Sequence, residues 1–122
     1  MLKLSAHPSA PAWLDLMPGV RVQMRPATPA AMIIARREAG KVFRAEGADD
    51  DPDTGTKATV ALVGALARFA ISDWSGVGNA EGEPVPVTAE NVDALMQIWP
   101  CYDAFDQQYV GPILTGETEK NG

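Results

Sequence analysis

The stretch from Ala58 to Ser72 carries a single charge, Arg68, and this constrains the fold more than any other feature of the chain. Its spacing predicts a helix from about Lys57 to Asp73. Val60, Leu62, Val63, Leu66, Phe69, Ile71 and then Trp74 cover most of its circumference. A helix apolar on nearly every side either lies at the centre of a core or pairs with another chain. Each large side chain fully buried contributes about 1.5–3 kcal/mol before entropy is subtracted. A chain of 122 residues builds one core and has few other elements to cover such a helix, so self-association through it stands as an alternative to full burial. Arg68 interrupts the run, which is shorter than the roughly 20 residues a bilayer requires.

The flanking segments supply those elements. Met1 to Ala12 is rich in Pro, Ser and Ala and reads as an extended arm or short edge strand. Trp13-Leu14-Asp15-Leu16 and Val20 to Arg25 alternate around a Met17-Pro18-Gly19 turn, which predicts a β-hairpin. Leu14, Leu16, Val20, Val22 and Met24 form its buried face, with Asp15, Arg21, Gln23 and Arg25 outside. A lone hairpin is marginal in water and must pack on helices. Pro26 ends the second strand, and Thr28-Pro29 reads as a cap opening a helix to about Glu46. Met32, Ile33, Ala35, Ala39, Val42 and Phe43 recur at helical spacing as its apolar side. Gly40, inside that helix, hints at close packing or a bend.

Gly47 to Thr56 holds four aspartates and is expected to be an extended, solvated loop. Asp49, Asp51 and Asp53 alternate as in a calcium loop, but Thr54 stands where the sharp-turn glycine belongs and Val60 where the closing glutamate belongs. The Asp49–Asp53 loop is therefore given no cation. Asp73 to Trp99 begins with a glycine-rich turn at Trp74 to Gly78 and a second at Asn79 to Gly82. Glu83 to Val87 then runs extended through two prolines to a helix capped by Thr88. Val92, Leu95, Met96 and Trp99 form one stripe, and Pro100 ends or kinks the helix. Cys101, Phe105 and Tyr109 continue at four-residue spacing until Gly111-Pro112 stops them. The expected fold is α+β: an N-terminal β-hairpin packed on a mainly α-helical body of three to four helices. Residues 1–114 are expected to form one domain and 115–122 a flexible C-terminal segment.

No residue constellation for chemistry emerges. Gly76, Gly78 and Gly82 do not match a phosphate-cradling motif, and Asp73, Glu81 and Glu83 lack a recognisable partner for acid–base work. The single histidine, His7, has no orienting carboxylate nearby in sequence. The single cysteine, Cys101, sits in an apolar setting that opposes thiolate formation. One Cys excludes an intramolecular disulfide, and together with one His it builds no familiar zinc site. Trp74, Trp99 and Met96 read as core residues. A net charge of −6 argues against a nucleic-acid footprint. Arg36, Arg37, Lys41 and Arg44, four of the ten basic residues, fall on one helix and read as a solvated face more than an anionic-partner site. The expectation is a non-enzymatic, cytoplasmic, acidic protein without cofactor, metal, nucleic-acid or membrane partner.

Several short motifs carry a resemblance. These are Trp74-Ser75-Gly76-Val77-Gly78, then Gly82-x-Pro84-x-Pro86-x-Thr88-x-Glu90-Asn91, Leu95, and Tyr109-x-Gly111-Pro112 ahead of Glu119-Lys120-Asn121. With Trp13-Leu14-Asp15-Leu16 before a glycine turn, they resemble the tail assembly chaperones of long-tailed phages and prophages. The resemblance spans most of the chain and transfers no catalytic residue. It implies binding of the tape-measure protein during tail building, keeping it soluble, and help in recruiting tail-tube protein. It also implies a longer frameshifted product, for which Glu119-Lys120-Asn121 is codable by an A-rich run. The alternative is an unrelated small adaptor that self-associates through its apolar second helix.

Overall fold

The computed structural model describes residues 12–115 of the chain. His7, most of the N-terminal arm and residues 116–122 lie outside the described residues. Strands β1 (Ala12–Met17) and β2 (Val20–Met24) form the expected antiparallel hairpin around Gly19, whose φ of 82° suits glycine. Leu14 faces Val22 and Asp15 faces Arg21 in register, with an irregularity before Met17. Leu16, Val22 and Met24 are buried as the alternation predicts, while Asp15 and Arg21 pair in solvent.

Helix α1 (Pro29–Arg44) opens on Thr28, whose hydroxyl accepts from the Ala31 N–H at 3.1 Å. Its buried face is narrow, consisting of Ala31 and Ala35 with Met32 half-buried beside them. Ile33 and Phe43 were expected on the apolar side and instead point to solvent. Small alanines let α1 approach its neighbour closely, which leaves the large side chains outside. A short 3₁₀ turn at Ala48–Asp50 leads to α2 (Thr54–Ala70). The aspartate loop is thus folded rather than extended. Buried Thr54 donates to the carbonyl oxygens of Ala48 and Asp51, and the Asp51 carboxylate pairs with Lys57.

The largest correction falls at the end of α2. Ile71–Ser75 is not helical but a third strand, β3, antiparallel to β2 with Val22 opposite Trp74, giving the order β1-β2-β3. The Arg25 N–H donates to Ala70 O at 2.8 Å where helix becomes strand. Helix α2 is therefore less apolar around its circumference than the sequence suggested. Val63, Leu66, Ala67 and Ala70 are buried, Leu62 and Phe69 are half-buried, and Val60 is exposed.

Beyond β3, Gly76 turns with φ of 84° against the hairpin, and the chain makes an arch back to Val85. Asn79 holds the arch by accepting the Glu81 and Glu83 N–H groups, and Trp74 Nε1 donates to Val85 O at 2.8 Å. Thr88 caps α3 (Ala89–Met96) by accepting from the Asn91 N–H. The helix stops at Met96, so Trp99 leaves the predicted stripe and is 67% exposed. The expected break and following short helix are present, but the break falls before Trp99, and Pro100 stands in the first turn of the new helix α4 (Trp99–Phe105), where a missing N–H costs nothing.

Gly111-Pro112 does not stop the chain's helical path. Helix α4 widens into a π-helical segment, Asp106–Val110, and resumes as a final α-turn, Gly111–Thr115. Proline in a helix lacks the N–H that would bond four residues back and crowds that carbonyl. The wide turn just before Pro112 relieves this, with the Gly111 N–H reaching Asp106 O. Gln108 Nε2 and the Tyr109 hydroxyl then donate to Asp15 O and Arg25 O, fastening the segment to the hairpin. Phe105, Leu66, Val22, Val63, Val92, Val110 and Cys101 fill the core between sheet and helices. Among the described residues no helix is long and apolar enough to cross a membrane.

Candidate functional site

Where α2 leaves the core it floors an open groove of about 310 Å³. Its floor is Val60, Ala61, Gly64 and Ala65, small side chains at the three- and four-residue spacings that put them on one helix face. Among the described residues nothing lies within 4 Å of where a Gly64 β-carbon would stand, so the floor is open at its centre. Glu38 of α1 forms one wall, and Met96, Gln97 and Tyr102 of α3 and α4 form the other. Val60 is 43% exposed at one end. Exposed Trp99, which is not part of the lining, stacks on the Tyr102 ring with centroids 6.0 Å apart.

Arg68 and Asp93 close the other end as a two-pronged ion pair, with Nε to Oδ1 at 2.6 Å and Nη2 to Oδ2 at 2.7 Å. The Asp93 hydrogen bond raises the Arg68 pKa above its usual value, opposed by desolvation and aided by Glu38. Burial pushes the Tyr102 hydroxyl up, and the Asp106 charge adds to it. The groove is thus apolar along its floor and at its Val60 end and polar at its Arg68–Asp93 end, with Tyr102 in its wall. Such a surface fits a partner side-chain row better than a reacting group.

The residues weighed for chemistry do not converge on this groove. Cys101 is buried in the core, and burial pushes its thiol up, away from thiolate. The Asp73 carboxylate accepts from the Trp74 N–H, while the Glu83 carboxylate lies against the Asn79 amide. Asp51 is engaged by Lys57 and by the Asp53 N–H, and those bonds lower its pKa. Among the described residues no group of three or more His, Cys, Asp or Glu side chains is placed to hold a metal ion. Trp74 is half-buried and anchored to the arch. The groove-forming residues Ala61, Gly64, Ala65, Gln97 and Tyr102 were not singled out in the sequence. The spacing of Ala61, Gly64 and Ala65 within an apolar helix was the available signal.

No curated protein and no solved structure matches the chain. A family model described as YdaY prophage protein matches residues 27–108, a span running from just before α1 into the π-helical segment. By that match over more than half its length, the chain belongs to the YdaY prophage protein family.

Proposed function

We propose that this prophage protein is a non-catalytic tail assembly chaperone that keeps a tape-measure protein soluble by holding an apolar helical stretch of it in the α2 groove. The observation that carries the reading is the open floor at Gly64, flanked by Val60, Ala61 and Ala65 beside the Trp99–Tyr102 pair. A helix laying its apolar row across small residues is a recurring mode of recognition. Exposed aromatic side chains at the edge of such a groove are the residue type that most often anchors a partner. The client is taken from the resemblance of the short turn motifs to tail assembly chaperones, and tail-tube protein is the second partner that resemblance implies.

Co-expression tests it. The tape-measure gene from the same prophage is expressed alone, with the wild-type chain, and with Gly64→Leu, whose β-carbon meets no described atom within 4 Å and whose longer side chain occupies the groove. Soluble tape-measure protein with wild type and its loss with Gly64→Leu is the expected result. Equal solubility in all three conditions would overturn the reading. The competing reading, an adaptor that self-associates through the partly exposed α2, is favoured if light scattering finds a dimer that Gly64→Leu dissociates.

A further inference from the structure

The outward side of α1 is a second surface of different chemistry. We infer that it docks an acidic amphipathic helix of a partner protein. Ala31 and Ala35 mark the side of α1 that faces the core. At 100° per residue Ile33 stands opposite them, with Ile34 and Phe43 to either side, and all three are exposed, Phe43 by 57%. Arg36, Arg37, Lys41 and Arg44 share that outward side and are exposed. Within Pro29–Arg44 the lone acid is Glu38, which bridges to Lys41 and turns toward the α2 groove. Four cations against one acid give α1 a net charge of +3 in a chain of net −6.

Gly40 adds an independent observation. It lies in the interior of α1, where glycine is a costly choice, and the described atoms near its missing side chain belong to the movable Arg44 guanidinium. Packing within the chain therefore does not account for it, whereas a partner backbone approaching closely does. The exposed Ile33 and Phe43 call for apolar side chains, and Arg36, Arg37 and Arg44 around them call for carboxylates. A helix with Leu and Glu in adjoining rows offers both. A nucleic acid offers phosphate charge and base faces but no aliphatic row to meet Ile33, and it would approach the acidic body, including Asp49, Asp50 and Asp53 just beyond α1. A second copy offers a poorer match, because its exposed Asp49, Asp50 and Asp53 lie at and just after a short 3₁₀ turn with no apolar row beside them, and Asp103 and Asp106 on its α4 side are half-buried, with Asp103 engaged by Gln107.

The test uses a fluorescein-labelled synthetic helix of about 15 residues with Leu and Glu at helical spacing, a twin with Lys for Glu, and a single-stranded oligonucleotide. The wild-type chain is expected to bind the acidic peptide saturably, and more weakly as salt rises. Arg36→Glu with Arg37→Glu, and separately Phe43→Ala, should each weaken it about tenfold. Gly64→Leu should leave it unchanged, which separates this surface from the α2 groove. Gly40→Ala should raise Tm yet weaken binding, so the result does not depend on a destabilised variant. The proposal is overturned by no saturable binding up to about 1 mM, by equal binding of the Lys twin, or by tighter binding of the oligonucleotide. Insensitivity to the α1 variants, or a wild-type dimer that Phe43→Ala dissociates, would also overturn it.

Discussion

The Tyr109 hydroxyl donates a 2.8 Å hydrogen bond to the carbonyl oxygen of Arg25, joining the π-helical segment to the residue that follows β2. Its ring also lies against Phe105, with centroids 5.1 Å apart. Tyr109→Phe keeps the ring contact and removes the hydrogen bond. The expected loss is about 1 kcal/mol, read as a lower midpoint in urea with unchanged slope.

The same residue sets a pH dependence. Burial raises the Tyr109 pKa to about 12, above the ordinary phenol value of 10. The folded state therefore keeps its proton where the unfolded state releases one. This contribution to stability is whole below pH 10 and is lost as pH rises toward 12. Denaturation midpoints of wild type should fall faster over that window than those of Tyr109→Phe, and parallel curves would contradict the assignment.

Gly76 is expected to tolerate no side chain. Its φ is 84°, and a β-carbon there would overlap the carbonyl oxygen of Gly19 in the hairpin turn. Gly82 has a similar φ of 80° but open space around it. Gly82→Ala should cost about 1 kcal/mol from backbone strain alone. Gly76→Ala should cost at least about 2 kcal/mol more, because backbone must move. Thermal melts of the two variants measure that difference.

Leu66 is fully buried in the core beside Val63 and Ala67. Leu66→Asp places an unpaired carboxylate there and should cost about 4 kcal/mol or more, enough to unfold the chain. A native-like circular dichroism spectrum with an unshifted melt would refute the central position of α2.

Trp99 makes the opposite case. It was expected in the core and stands 67% exposed, stacked on Tyr102. Trp99→Ala should change stability by less than about 1 kcal/mol while reducing the yield of soluble tape-measure protein in co-expression. A large fall in Tm would mean that the ring is structural.

The elements most legible in the sequence were those with explicit punctuation. The Pro18-Gly19 turn, the Thr28-Pro29 opening of α1 and the Thr88 cap of α3 each appear where the residue types place them. β3 was missed because the chain passes from Ala70 to Ile71 without glycine, proline or any other turn residue. Ile71 and Trp74 also fit a helical stripe, so periodicity alone could not separate the two readings. Pro100 and Pro112 each read as a break from residue type alone. One occupies a first turn, where proline is locally favoured, and the other follows a π-helical widening that local propensity does not reveal. The groove was illegible for another reason: Gly64 matters because of what is absent above it, and only the placement of α1, α3 and α4 reveals that space.

The order β1-β2-β3 has a kinetic consequence. The first two strands are joined by two residues, whereas β3 reaches β2 only after the chain has run through both α1 and α2. Pairing Met24 with Ile71 therefore closes a loop containing the two longest helices, and its entropic cost must be met before the contact rewards it. The helices most readily form first as an antiparallel pair that shortens the loop, and the third strand then joins late. Substitutions confined to β3 would accordingly appear as faster unfolding, with the refolding rate nearly untouched.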